Sequence, residues 1–507
     1  MASQAAINEA LLSPDHLRSK LGGRTARGGA IVASAQVVRM FIQLATTFVL
    51  ARILAPSDFG LIAIGYTIMG FINLFMDLSL TSVTVQIEKL EQRTASGLLY
   101  ANVALSTSIV ALVALTSPLL AMAFHDPRVT PVAIGLALSA PLGALGSQHY
   151  AILVRNMRWM LIQSCAIGAM AFGSIVAVLV AWLFNAGYWA LVIQAIASAG
   201  AGTVISWLTC KWRPSLVDDW SGTFKALRTS LHLSGNTILS YIHRQTDNIL
   251  IGWRWGVVEL GFYARAYSLL MMPLLITGQL QSVTLPALSR LQNDPQRWRG
   301  AYLESLMVVT AIGGCIGALM FGGAVPIIDF ILGPHWGQSE GIFSSLVLAM
   351  LVATPMSTVS WIYISLGQTD RMLKWAVTGV IIYVSSFVIG LPYGAQGVAT
   401  AYGCAQLLAF LPCLWWATRR SPATLIDVLK TVLPIMAITL VVGVSLRFVT
   451  AAIDSMLLDF VAIAAAGLIY LCLVFIVASV WPPHRRFFER AMGMRAKLVG
   501  MLQRAPQ

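Results

Sequence analysis

The residues of this chain best suited to chemistry lie in YIHRQTDNILIG, residues 241–252, inside a run that otherwise has the composition of a membrane-spanning helix. Asp247 is a carboxylate that can exchange a proton or hold a cation. Arg244 carries a planar fork that donates two hydrogen bonds and stays charged. At helical spacing Asn236, Ser240, His243 and Asp247 share a face, and Thr237, Tyr241, Arg244 and Asn248 form the adjoining column. The far side carries Ile238, Leu239, Ile242 and Ile249. A bilayer penalises each polar group it surrounds, so such a stripe is expected to face a water-filled path or a ligand.

The elements that position this stripe follow from composition. Of 507 residues, 58% are hydrophobic and 10% charged, with mean hydropathy +0.78, whereas a soluble chain carries about 25% charged residues. The apolar runs are long and lack strand alternation, so the expected fold is an all-α polytopic membrane protein. Fourteen spans are expected, at 29–53, 58–82, 96–123, 129–153, 159–184, 187–209, 229–253, 258–287, 302–331, 341–365, 372–392, 395–417, 427–448 and 457–481. With both termini in the cytoplasm, about 26 of the 33 Lys and Arg residues fall in cytoplasmic segments. Only Arg52, Arg128, Arg254 and Arg447 fall outside, which is the positive-inside bias. That topology accounts for the net charge of +13 without a nucleic-acid partner. Residues 1–28 contain no secretory signal pattern; Leu11, Leu12, Leu17 and Leu21 suit either a short surface helix or a disordered tail. The basic tail 482–507 suits an anionic inner leaflet. The six cysteines form no C-x-x-C pair and are read as small apolar residues. His335 is read as a turn residue, and Gly313-x-x-x-Gly317 as a close-packing motif.

A shift of 201 residues lays the first two spans on the seventh and eighth. Arg27 meets Arg228, Asp58-Phe59-Gly60 meets Glu259-Leu260-Gly261, and Ala63 and Tyr66 meet Ala264 and Tyr267. A second echo, at a shift of about 210, pairs NAGYWALV (185–192) with AQGVATAY (395–402). In the first span Gln36, Arg39, Gln43 and Thr46/Thr47 form a polar stripe that lands on Thr237, Ser240, Arg244 and Asp247/Asn248. The expected organisation is a tail at 1–28, a first six-helix lobe at 29–210, a linker at 211–228, and a second lobe at 229–417. Two further spans at 418–481 and the basic tail follow. The lobes are expected to be related by a pseudo-two-fold axis along the membrane normal, with the two stripes lining a cleft.

TDNILIGWRWG, LGFYARA and FILGPHWGQSEGIF, with ILAPSDFGLIAIGY in the first repeat, carry a family likeness. Over roughly residues 24–420 the chain resembles Wzx-type lipid-linked oligosaccharide flippases of the multidrug/oligosaccharidyl-lipid/polysaccharide exporter superfamily. The resemblance implies two six-helix lobes plus two helices. It also implies movement of an undecaprenyl-pyrophosphate-linked glycan across the bacterial inner membrane. Arg39, Arg244 and Arg265 are then the candidates for the pyrophosphate, and Gln36, Gln43, Asn236, Tyr241 and Asn248 for the glycan. Asp77 and Asp247 are the candidates for coupling to H⁺ or Na⁺, with Glu304 read as interfacial.

Each assignment has a structural competitor. Arg244 and His243 stand three and four residues from Asp247 and could simply neutralise it. Arg265 could snorkel to the interface, Asp77 could anchor a helix end, and Arg39 could pair with Asp77. No metal or cofactor is expected, and without a G-x-x-x-x-G-K-[ST] motif direct use of ATP is not expected. The expected partners are the lipid-linked glycan, membrane lipids, a coupling ion and polysaccharide polymerase or export machinery. The rivals are a drug/cation antiporter and a lipid II flippase of the same superfamily. Short loops without clustered acids argue against a membrane-embedded enzyme.

Overall fold

The structure, a computed structural model, describes residues 4–12, 21–76, 90–217, 235–453 and 455–480, with positions 84, 87, 219, 220 and 223. Every helix or strand among the described residues is helical. The chain forms two compact units, Met1–Ala264 and Arg265–Gln507. Unit 1 contains α1 (Gln4–Leu12), α2 (Leu21–Ile53), α3 (Pro56–Met76), α4 (Gln92–Ala123), α5 (Val129–Ala137), α6 (Ser139–Arg155), α7 (Trp159–Phe184), α8 (Trp189–Thr209) and the first part of α9 (Gly235–Arg290). Unit 2 contains the rest of α9, then α10 (Pro295–Gly322), α11 (Ala324–Ile331), α12 (Gln338–Ser357), α13 (Val359–Ser365), α14 (Thr369–Gly390), α15 (Gly394–Thr418), α16 (Leu425–Ala451) and α17 (Met456–Val480).

Ten stretches among the described residues are long and apolar enough to cross a membrane. One of them, Thr369–Thr418, holds both α14 and α15. The all-helical membrane architecture therefore stands, and the expected count of fourteen fits loosely: the ten cover the first, the third to sixth and the ninth to fourteenth expected spans, with the eleventh and twelfth as one, while α3 and α9, at the second, seventh and eighth, are not among them. The fourth breaks at Leu138, between α5 and α6, and the ninth at Gly323, between α10 and α11. The seventh and eighth run together as α9 through Gly256, at φ 81 and ψ −175. That backbone region is essentially open to glycine alone.

Local chemistry explains the other ends. Pro56 opens α3, and Asp58 in its first turn accepts from the Ala55 N–H at 3.1 Å. Asp294 caps α10 by accepting from Arg297 N at 3.1 Å, and Thr424 and Asp427 form a reciprocal capping box on α16. Between α4 and α5, Arg128 donates to both Asp126 carboxylate oxygens. Burial pushes the Asp126 carboxyl up, but those bonds and the Arg128 charge outweigh it and hold it below its ordinary range.

Large apolar side chains such as Leu115, Met122, Phe184, Leu408 and Leu468 stay exposed on the helices, as expected of surfaces solvated by acyl chains. The buried side chains form separate clusters. In unit 2, Trp298 stacks on Tyr302 at 5.3 Å among Leu306, Trp361, Ile362 and Leu414. The last two helices pack on α10 through Val442, Leu446 and Tyr470, whose hydroxyl donates to the Ala311 carbonyl at 3.1 Å. Gly313 is a close-packing position, against Thr354, as its motif suggests. The second close contact falls on Gly314, against Thr439 and Tyr470, while Gly317 faces open space. His335 lies in the short turn Pro334–Trp336 that follows Gly333.

Within the expected tail, residues 4–12 form a docked helix and Leu21 opens α2, while Leu17 lies outside the described residues. Leu12 of α1 is buried in the cluster of Leu99, Ile152 and Trp212. Asn8 donates to the Arg213 carbonyl at 2.9 Å and accepts from the Arg213 N–H at 3.1 Å, as a neighbouring strand would. Arg155 donates to the Leu12 carbonyl at 3.2 Å, and Asn156 to the Leu11 carbonyl at 2.8 Å.

Candidate functional site

The seventh span puts Asp247 inside the protein, 4% exposed. A carboxylate so placed must be hydrogen-bonded or it costs several kcal/mol. Tyr263, itself buried, donates its hydroxyl to Asp247 Oδ2 at 2.7 Å. The backbone N–H of Asn248 donates to Asp247 Oδ1 at 2.8 Å. The turn at Gly256 makes the first contact possible, because it lets Tyr263, sixteen residues after Asp247, fold back beside it.

A polar chain continues from there. Asn248 Nδ2 donates to Gln245 Oε1 at 2.9 Å, and the Thr67 hydroxyl of α3 lies 3.1 Å from the same oxygen. That hydroxyl is also 2.9 Å from the Ala63 carbonyl, and its single proton serves one acceptor at a time. Asn248 Oδ1 is buried with no bonded partner among the described residues.

Two glycines bring α3 and α9 into backbone contact. A methyl built on Gly60 would run into the Val257 carbonyl oxygen, and one built on Gly261 into the Pro56 carbonyl oxygen. Both pairs, Gly60/Gly261 and Pro56/Val257, are related by the same shift of 201 residues. The contact is reciprocal, as at a two-fold axis. Those glycines matter because only a residue without Cβ lets two backbones approach so closely.

On α2, Arg39 Nη2 donates to Gln36 Oε1 at 2.7 Å, so two of the expected residues meet. Gln43 is exposed on the same helix, and Thr46 turns its hydroxyl back to the Ile42 carbonyl at 2.7 Å. Val37, Val38 and Phe41 are exposed beside them, so the stripe is flanked by apolar surface. Arg265 is half-buried at the start of unit 2. Asn236, Tyr241, His243 and Arg244 lie in α9 with side chains outside the described residues, and Asp77 lies outside them altogether.

Tyr263 is not among the candidate residues read from the sequence. The repeat offers no sign of it: at the 201 shift Asp247 falls on Thr46 and Tyr263 on Ile62, so the acid and its donor exist in one half only. The signal available was the tyrosine in LGFYARA, following a chain-reversing glycine. Among the described residues no group of three or more His, Cys, Asp or Glu side chains could hold a metal ion.

Residues 49–340 match the polysaccharide biosynthesis protein family. The chain belongs to that family. Among similar proteins, the succinoglycan biosynthesis transport protein ExoT of Rhizobium meliloti (strain 1021) is 24% identical over 76% of this chain and 78% of its own. The lipopolysaccharide biosynthesis protein WzxC of Escherichia coli (strain K12) is 21% identical over 76% and 79%. In fold, the chain is similar to the lipid II flippase MurJ in an inward closed conformation, with TM-score 0.68 and 17% identity over 88% of this chain and 98% of that one. A multidrug MATE transporter of the MOP superfamily, facing inward, gives TM-score 0.61 at 14% identity over 79% and 99%. The motif resemblance read from the sequence leads to the same family. The part of this polysaccharide biosynthesis protein that matches includes Asp247, Tyr263 and both crossing glycines, while Gln36, Arg39 and Gln43 precede it.

Proposed function

We propose that this protein carries an undecaprenyl-pyrophosphate-linked oligosaccharide unit across the bacterial inner membrane by alternating access, for exopolysaccharide or lipopolysaccharide biosynthesis. The observation that carries the reading is the polar face of the seventh span, with Asp247 buried and held by Tyr263, in a member of a polysaccharide biosynthesis family. The names of ExoT as a transport protein and MurJ as a flippase support it. The glycan and pyrophosphate travel along the stripes of the first and seventh spans while the polyprenyl tail stays in lipid. Arg39, Arg244 and Arg265 meet the pyrophosphate. Gln36, Gln43, Asn236, Tyr241 and Asn248 meet the glycan. Both termini are cytoplasmic, lobes 29–210 and 229–417 alternate, and polymerase or export machinery receives the product. No bond of the cargo is broken.

Movement against a gradient needs a coupled ion. Asp247 is one candidate, because protonating it or pairing it with Na⁺ would change its demand for the Tyr263 hydrogen bond. Asp77 is the second candidate.

The same fold serves lipid II flippases and drug antiporters, so the test is genetic. Deleting the gene should abolish a surface polysaccharide and leave lipid-linked repeat units on the cytoplasmic face. Intact polysaccharide in a strain without a second transporter would reject the proposal. Arrested peptidoglycan synthesis would point to lipid II, and sensitivity to cationic drugs alone to an antiporter.

A further inference from the structure

The hairpin of α14 and α15 ends in a basic pocket unrelated to the polar stripe. Asp370, Arg371, Lys374, Trp416, Arg419 and Arg420 line a cavity of about 360 Å³ at the edge of this apolar pair of helices. Four cations face one acid, and among the described residues none of the four forms an ion pair.

Arg371 is the telling member. It is only 6% exposed, yet the acceptors of its guanidinium are neutral: the Gln368 side-chain oxygen at 2.9 Å and the Trp416 carbonyl. Its cation also lies 5.0 Å from the centre of the Trp416 ring. A buried charge without a counter-ion is costly. The helix ends offset this only in part: Arg371 and Lys374 sit in the first two turns of α14, the end that disfavours cations, while the Trp416 carbonyl belongs to the last turn of α15, the end that favours them. Gln368 holds the two helix ends together by donating to the Arg420 carbonyl at 2.7 Å.

The surroundings select the kind of anion. Below the pocket, Leu373, Val377 and Ile381 form an exposed apolar strip on α14, and Leu408, Leu411 and Trp415 another on α15. A ligand here meets cations at one end and two hydrocarbon strips at the other. The arginine-on-tryptophan pairing recurs in unit 1, where Arg213 lies 5.4 Å from the Trp207 ring beside an apolar cavity of about 400 Å³. Trp207 and Trp416 are 209 residues apart, close to the second repeat shift.

We propose that the α14–α15 pocket binds the phosphate of an anionic phospholipid, with Arg371 as the buried counter-charge, Lys374, Arg419 and Arg420 as the outer clamp, and the acyl chains along the two apolar strips. Free phosphate shares the headgroup chemistry but lacks the chains, which gives the test its arms. The full-length protein, purified in phosphatidylcholine nanodiscs or detergent, is titrated with phosphatidylglycerol, with glycerophosphoglycerol and with inorganic phosphate, and bound adducts are counted by native mass spectrometry. Phosphatidylglycerol should bind and raise the thermal midpoint, and the two chain-free probes should not. The triple variant Lys374→Gln, Arg419→Gln, Arg420→Gln should lose roughly tenfold or more in phosphatidylglycerol affinity, with an unchanged thermal midpoint in phosphatidylcholine. If that variant does not fold, Lys374→Gln alone gives the same reading with a smaller loss. Equal phosphatidylglycerol binding in wild type and variant overturns the site. Inorganic phosphate binding as tightly as the lipid overturns its assignment to a phospholipid.

Discussion

At the residue scale, Asp247 of the polar stretch 241–252 is buried and accepts a hydrogen bond from Tyr263. A carboxylate buried inside the protein is stable there because a tyrosine hydroxyl and a backbone N–H are aimed at it. Tyr263→Phe removes one donor and leaves the acid under-satisfied, so the thermal midpoint of the purified protein should fall by the equivalent of about 1–2 kcal/mol. In an Asp247→Ala background the same change should cost much less, because its partner is gone. Equal costs in both backgrounds would show that the hydrogen bond does not support Asp247. On the first span, Gln36 occupies the Arg39 fork in part, so under the proposed function an oxyanion arriving there would compete with a neutral amide. A charged acceptor wins that competition, since charge-assisted bonds are roughly twice as strong as neutral ones.

At the element scale, the crossing of α3 and α9 is the most constrained feature. Gly60→Ala and Gly261→Ala each place a methyl into a backbone carbonyl that cannot rotate away. Each should lower the thermal midpoint and the yield of folded protein, by about 1–3 kcal/mol or more for overpacking of this kind. Gly29→Ala, in open space on α2, should be neutral or slightly stabilising. Wild-type stability in either crossing variant would mean that the two backbones do not touch. Much of this scale was legible beforehand. Long apolar runs gave the helices, and the constant offset between ILAPSDFG and RWGVVELG marked equivalent glycines. What stayed hidden depended on contacts that leave no periodic trace. The docking of α1 rests on Asn8, Arg155 and Asn156 bonding to backbone groups, which any sequence offers. The choice of Gly314 over Gly317 depends on where Tyr470 arrives from a helix more than 150 residues later, at the 159-residue separation of its bond to Ala311.

At the scale of the whole molecule, the chain is a multi-pass helical membrane protein of the polysaccharide biosynthesis family. The charge bias that suggested its topology also concentrates cations at the ends of helices, and the α14–α15 pocket is one place where that bias has become a built structure. The most direct measurement reconstitutes the purified protein into vesicles holding a polyprenyl-pyrophosphate-linked oligosaccharide with a labelled glycan, and follows the arrival of label on the opposite leaflet under an imposed ion gradient. The account predicts protein-dependent transfer that Arg39→Ala and Asp247→Asn each reduce by about tenfold or more, the loss of one charge-assisted contact or of the coupling acid. Transfer at the wild-type rate in both variants, or no transfer above protein-free vesicles, would contradict it.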